Sequence, residues 1–383
     1  MFAALTALVL AGLAGPLLAF AARGLPVVLG ELAAGVVIGQ TGLSLVHPAQ
    51  QPLPAFRAIG FAMLMLTAGT HVDIGSPDIR RGFARGLLAF AVVAALAVPA
   101  GLLIDHGIGL GHGALLIVLI AGSSAAIAFP IIEERGLRGG DVAFLVAWVA
   151  IADSATVVAM PLTLAASSSV GVALGGDAAI VAAGALTLAV AMRLRRTAAS
   201  QQLRGDSLRR AWAWQLRISV LLLVGLSAIA ERTGASTLVA GFLAGMVIVR
   251  LREPDRLALQ LTGVANGFFV PLFFVLLGAE LDLRALFTSP SRIVLAVALA
   301  AAATLTHLVA ARVADRPRFV ATGLAASAQL GMPAAAASLG LGAHLLTPAD
   351  AAALVAAGCL TLVPATIGSR LLAGGVAAHP AAQ

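Results

Sequence analysis

The sequence has no lysine, one cysteine and little charge of either sign. Of its 383 residues only 11% are charged, and all 24 basic side chains are arginine. Soluble globular domains carry about 25% charged residues, so this chain does not have the solvated surface of one. Cys359 stands alone in an apolar stretch, which excludes an intrachain disulfide or a cysteine metal site and leaves it as a small core residue. There is no Walker sequence, no glycine-rich dinucleotide loop and no metal-ligand cluster, so neither ATP-driven transport by this chain nor a bound cofactor is expected, and no enzymatic chemistry is indicated. Short alternating apolar and polar segments are also missing, which excludes a transmembrane β-barrel. The net charge of +7 marks orientation in a lipid bilayer and not a nucleic-acid surface.

What is present is apolar. Hydrophobic residues make up 60% of the chain and the mean hydropathy is +1.03. About 20 apolar residues cross a bilayer as a helix. Runs broken by charge, Pro and Gly give thirteen candidates: 3–21, 27–46, 54–72, 83–104, 113–132, 141–165, 174–192, 214–230, 235–250, 262–282, 291–311, 319–341 and 348–370. The expected fold class is an all-α polytopic membrane protein. The first run lacks a basic region before it and reads as a retained helix. No soluble domain is expected beyond residue 370.

The arginines set the topology. With the loop 193–217 in the cytoplasm, alternation puts Arg23, Arg80, Arg81, Arg85, Arg135, Arg138, Arg250, Arg252, Arg256, Arg312, Arg316, Arg318 and Arg370 on that side too. Only Arg57, Arg232, Arg284 and Arg292 fall outside, a ratio of 20 to 4. Cytoplasmic loops concentrate Arg and Lys, so the expectation is an inner-membrane protein with its N-terminus outside and its C-terminus inside. Trp212 and Trp214 suit an interfacial belt where the eighth run begins.

Two pieces of the first half return in the second. Leu32-Ala33-Ala34-Gly35-Val36-Val37-Ile38 resembles 239–248, with Gly35 and Gly245 aligned 210 residues apart; 64–73 resembles 274–282, with Gly69 and Gly278 209 apart. The region of Ser123 and Ser124 pairs more weakly with that of Ser327. Runs 1–6 then repeat as 8–13 with run 7 as linker. A shift by seven helices inverts orientation, the architecture of alternating-access transporters. The expected divisions are 1–192 (first repeat and linker), 193–217 (basic cytoplasmic loop), 218–370 (second repeat) and 371–383 (cytoplasmic tail).

Chemistry concentrates at Asp153. Apart from Asp177 it is the only charged residue between Val142 and Met192, and it lies in the middle of the sixth run. A carboxylate at that depth costs several kcal/mol unless it is protonated or given a cation. Thr156 lies one turn on along the same face, Ser154 is adjacent, and Ser123 or Ser124 of the fifth run could complete an oxygen shell for a hard monovalent ion. In the fifth run Gly122, the two serines and Pro130 predict a mid-membrane break. In the twelfth, Ser327, Gln329 and Gly331 predict another. Opposed half-helix ends at such breaks offer carbonyls to cations and positive dipoles to anions. Glu31 at the start of the second run and Asn266 in the tenth are supporting candidates. Asp73, Glu280 and Asp282 read as caps or vestibule charges, and His307 as a core histidine with gating as the alternative.

In order and spacing, Gly30-Glu31-Leu32-Ala33-Ala34-Gly35-Val36-Val37-Ile38-Gly39, Ser123-Ser124-Ala125-Ala126-Ile127, Ala152-Asp153-Ser154-Ala155 and 271–278 resemble the cation:proton antiporter-2 group. The resemblance covers residues 1–370. It implies about thirteen helices, broken crossing helices 5 and 12, a homodimer with an elevator-like moving core, and Asp153 as the carboxylate that binds Na⁺ or K⁺ and protons in turn. The chain departs from the group in three places. Ala152 stands where electrogenic relatives have an acid or asparagine and potassium-efflux relatives a glutamine. The buried lysine of the tenth helix in electrogenic relatives is missing. Gln329-Leu330-Gly331-Met332 lacks the charged residues that potassium-efflux relatives carry around the glycine. One titrating carboxylate implies electroneutral exchange. The departures leave two alternatives, a same-fold transporter of another solute, such as a sodium-coupled organic anion, and a non-transporting membrane scaffold or sensor.

Overall fold

Apolar runs of this length leave their backbone no water to bond, and a helix satisfies N–H and C=O within one segment. The computed structural model describes residues 2–21, 27–70, 77–125, 128, 140–164, 170–194, 197, 202–203, 206–207, 209–210, 212–233, 236–251, 255–315 and 317–376, and regular structure among them is helical throughout. In chain order the helices are α1 (Phe2–Gly12), α2 (Ala14–Ala21), α3 (Val27–Ile38), α4 (Leu53–Thr70), α5 (Pro77–Ile108), α6 (Gly113–Ala121), α7 (Gly140–Leu164), α8 (Val170–Leu194), α9 (Trp214–Thr233), α10 (Thr237–Arg250), α11 (Asp255–Val264), α12 (Val270–Glu280), α13 (Leu283–Thr288), α14 (Pro290–Ala314), α15 (Phe319–Ala326), α16 (Gly331–Gly342) and α17 (Pro348–Val376). A π-helical turn, Ala265–Phe269, joins α11 to α12. Ten stretches among the described residues are long and apolar enough to cross a membrane, and Val27–Ile38 and Thr237–Arg250 are shorter apolar helices.

Five predicted runs are not single α-helices. The first bends at Leu13, between α1 and α2, and the tenth contains the π-turn. The second ends at Ile38 and not at residue 46. There the chain turns back, with Leu43 N–H donating to Val37 O and Leu45 N–H to Ile38 O. Thr41 Oγ1 donates to Leu281 O at 2.7 Å and accepts from Leu283 N–H at 3.1 Å. These bonds satisfy helix-end carbonyls that apolarity alone cannot reveal. The fifth run leaves helical geometry after Ala121, and the twelfth is interrupted from Ser327 to Leu330. Pro130 and Asp73 lie outside the described residues.

The chain forms two compact units. The first comprises residues 1–48, 74–164 and 275–383. Within it α5 packs on α6, α7 and α14, while α17 packs on α14, α15 and α16. Its interior holds an aromatic stack: Trp148 of α7 lies 5.3 Å from His307 of α14 at 19° and 5.5 Å from Phe144, whose ring carries the Arg85 guanidinium 4.8 Å away. Three ion pairs tie helix ends together, Arg85 with Asp315 at 2.5 Å, Arg318 with Asp141 at 3.4 Å and Arg292 with Asp350 at 2.6 Å.

The second unit comprises 49–73 and 165–274, with α4 on α10 and α8 on α9 and α10. Each unit contains a crossing built on glycines that the sequence similarity singled out. In the first, a Cβ on Gly35 would strike Val275 O, and one on Gly278 would strike Leu32 O. In the second, a Cβ on Gly69 would strike Phe242 O, and one on Gly245 would strike Leu66 O. Backbones this close tolerate no side chain between them.

Overpacking such a crossing costs about 1–3 kcal/mol. Gly245→Val and Gly278→Val are therefore expected to lower the thermal midpoint of the detergent-solubilised protein by several degrees. Gly225→Ala, where a Cβ meets nothing within 4 Å, is expected to leave it unchanged or raise it. Melting monitored by size-exclusion chromatography after heating measures both.

Candidate functional site

The site is built where α6 and α15 stop in the interior of the first unit. A helix that ends away from water leaves carbonyls unpaired, and each costs on the order of several kcal/mol in a membrane interior. The two breaks satisfy each other. Ser123 Oγ, at the end of α6, donates to Ala326 O at the end of α15 at 2.6 Å. Gln329, just past α15, returns its Nε2 to Gly122 O at 2.6 Å, with a longer contact to Ile120 O at 3.4 Å. Gly122 adopts extended geometry here. Ser124 is buried, and its carbonyl accepts from Ala128 N–H at 3.0 Å. A Cβ on Gly331, where α16 begins, would lie 3.8 Å from Ser124 Oγ.

Asp153 projects from the middle of α7 and is 4% exposed. Its Oδ2 accepts one backbone hydrogen bond, from Ala125 N–H at 3.2 Å. Fully solvating a carboxylate takes several donors or a cation. A single N–H leaves room for either a proton or a monovalent ion. The carboxylate, the two serines and the Gly122 break are thus brought together, with Gln329 one hydrogen bond away.

The remaining candidates are placed as follows. Thr156 is buried beside Asp153, but its hydroxyl proton goes to Ala152 O at 2.8 Å and Asp153 O at 3.2 Å. Ser154 donates to Ala150 O at 2.7 Å, and adjacent helical positions do not share a face. Ser327 is buried and donates to Leu324 O at 2.8 Å, closing the last turn of α15. Glu31 is buried on α3 against Gly15 of α2, and its Oε2 has no hydrogen-bond partner among the described residues. Asn266 lies exposed in the π-turn of the second unit. Asp282 caps α13, accepting from Ala285 N–H at 2.8 Å. His307 is fully buried with Nδ1 2.8 Å from Ala303 O.

Thr361 of α17 escaped the sequence reading. Its Oγ1 accepts from Gln329 N–H at 3.0 Å and lies 3.1 Å from Gln329 O and 2.7 Å from Gly358 O. The spacing of about 210 residues between similar segments carries a signal for it, since Thr361 lies 208 residues after Asp153 (361 − 153).

Comparison with known proteins bears on the family and the fold. A family model described as "Sodium/hydrogen exchanger, transmembrane" matches residues 5–373. The chain is 25% identical over 358 residues to "Putative Na(+)/H(+) antiporter YjbQ" of Bacillus subtilis, covering 86% of this chain and 56% of that protein. It is 30% identical over 297 residues to "Glutathione-regulated potassium-efflux system protein KefC" of an Escherichia coli strain, covering 76% of this chain and 47% of that protein. It thus spans about half the length of these curated relatives. The solved structure of the sodium proton antiporter MjNhaP1 from Methanocaldococcus jannaschii at pH 8 shares the fold, with a TM-score of 0.66 at 17% identity over 99% of each chain.

Gln329→Leu leaves the Gly122 and Ile120 carbonyls without their donor. Unsatisfied buried acceptors cost about 1–3 kcal/mol, so a drop of several degrees in thermal midpoint is expected, with Gln329→Glu, which also removes the donor, no better. Heating curves of the purified variants check it.

Proposed function

The chain belongs to the sodium/hydrogen exchanger family, and on that premise we propose that it is a secondary transporter exchanging a monovalent cation, Na⁺ or K⁺, for protons by alternating access. The observation that carries this reading is Asp153, a buried carboxylate with one protein donor, set against the mutually bonded breaks of α6 and α15. Cation and proton are cargo here and no resident cofactor takes part.

The cycle follows from charge. Ionised and empty, Asp153 is a net negative charge in a low-dielectric interior, and moving it is expensive. Bound to either a proton or a monovalent cation, it is neutral and the carrier can reorient. Competition of the two cargoes for one carboxylate gives one-for-one, electroneutral exchange, in keeping with Ala152 at the preceding position. Ser123 and Ser124, with carbonyls of the α6 break, are read as the oxygen ligands that replace the ion's water. Thr156 contributes an oxygen lone pair and no proton, because its hydroxyl already donates to the helix, while Ser154, off the Asp153 face, serves only its own helix. Gly122, Ser327, Gln329 and Glu31 support the transport core.

The finer architecture belongs to the same reading: thirteen spans, in two inverted six-helix repeats joined by α8. It is supported by the glycine crossings, in which Leu32 O meets Gly278 as Phe242 O meets Gly69, and Val275 O meets Gly35 as Leu66 O meets Gly245. Each contact becomes the other on moving about 210 residues along the chain. The alternation of helix ends between two sides gains support from the ion pairs, since Arg85–Asp315 and Arg318–Asp141 join ends assigned to one side and Arg292–Asp350 joins ends assigned to the other. The sense, N-terminus outside and C-terminus inside the inner membrane, rests on the arginine ratio alone. A homodimer with an elevator-like moving core follows from the family likeness.

Asp153→Asn is expected to abolish cation-dependent proton movement in proteoliposomes, by at least about a hundredfold, with an unchanged elution profile. Normal exchange by that variant sinks the mechanism. A green fluorescent protein fused after residue 376 is expected to fluoresce in cells, since it folds on the cytoplasmic side; a dark, full-length fusion reverses the orientation.

A further inference from the structure

We propose that Thr361 is a positioning residue for ion binding, the uncharged counterpart in the second half of Asp153 in the first. The proposal rests on the exchange reading above. In the first half, a side-chain oxygen of α7 accepts the backbone N–H of Ala125, just after the α6 break, at 3.2 Å. In the second half, a side-chain oxygen of α17 accepts the backbone N–H of Gln329, within the break after α15, at 3.0 Å. The two oxygens lie 208 residues apart in sequence, and the two N–H groups 204 apart (329 − 125), the spacing that also relates Ser123 to Ser327. The same device therefore occurs twice, once with a carboxylate that can bind a charge and once with a hydroxyl that cannot.

The hydroxyl acts at a distance through Gln329. Thr361 Oγ1 accepts from Gln329 N–H at 3.0 Å while its single proton has Gly358 O at 2.7 Å and Gln329 O at 3.1 Å as acceptors, so the hydroxyl, anchored to its own helix, fixes the Gln329 N–H. Gln329 then reaches from this fixed backbone to Gly122 O at 2.6 Å. Gly122 adjoins Ser123 and lies three residues before Ala125, the donor to Asp153. Packing alone does not supply the restraint. A small cavity lined by Gln329, Pro333, Gly358, Thr361 and Leu354 adjoins the break, and a side chain facing a void is held mainly by its hydrogen bonds. On the other side the fit is tight, since a Cβ on Gly358 would come 3.0 Å from Gln329 O. Loosening Gln329 allows the Gly122 carbonyl and the serine loop to drift from the positions in which they face an ion at Asp153, which weakens cation binding without removing a ligand.

The test is cation-driven proton flux by the full chain in proteoliposomes, titrated with Na⁺ and with K⁺. Thr361→Val and Thr361→Ala are expected to raise the half-saturating cation concentration about three- to tenfold, the size of one lost hydrogen bond, with the maximal rate within about twofold. Thr361→Ser is expected to restore half-saturation. In the double variant Thr361→Ala with Gln329→Leu, the threonine change is expected to add nothing to the effect of Gln329→Leu, because the amide it positions is gone. Wild-type half-saturation in the alanine variant overturns the proposal. So does failure of a folded serine variant to rescue, or a fall in maximal rate alone, or independent effects in the double variant. If the valine variant does not accumulate, the alanine variant decides by the same criteria. Asp153→Asn run alongside separates the two levels. Exchange surviving in it removes the underlying reading, while its loss together with a normal Thr361→Ala removes this inference only.

Discussion

The rest of this structure depends on how two helices can stop in the middle of an apolar interior. Each interrupted helix presents carbonyls that find no water, and leaving them bare is more costly than almost any packing error. The solution is reciprocal. The serine of one break donates to the carbonyl of the other, and the glutamine of the second returns a donor to the first. Asp153 and Thr361 then take up one N–H each from the far sides of the breaks. A polar site inside a greasy protein is stable here because its members answer one another.

That arrangement explains how a neutral glutamine suffices at the break. An amide can donate to carbonyls without bringing a charge that itself needs a partner. Asp153 is then the charged group of this cluster, and its charge is left for the cargo to neutralise. The same economy of charge holds at the periphery, where Arg85, Arg292 and Arg318 pair with acids at helix ends and not in mid-span.

Much of the fold was legible in the sequence. Apolar length set the helices, and the glycines that spacing singled out, Gly35, Gly69, Gly245 and Gly278, turn up at close backbone contacts. The failures share a cause. Residues 39–46 look like helix because they are apolar, but Thr41 and the Leu281 carbonyl capture the chain in a turn. The bend at Leu13 lies beside Gly12, Gly15 and Pro16 and the π-turn beside Gly267 and Pro271, marks that apolar length alone passes over. Thr361 was overlooked because a lone threonine in a membrane helix usually bonds its own preceding turn. Nothing local distinguishes one that also accepts an N–H from a residue 32 positions away.

By itself the sequence determined the medium, the helical class, the one carboxylate that burial makes costly, and the small residues flanking it. These follow from composition and from periodicity along one segment, where the physics is local. Only the tertiary structure decided which hydroxyls have protons to spare, which carbonyls each break must satisfy, and that Thr361 joins the site. Those outcomes depend on hydrogen bonds between residues some 30 to 200 positions apart. Donor and acceptor geometry across such distances is a property of the folded chain, and no spacing in the sequence encodes it.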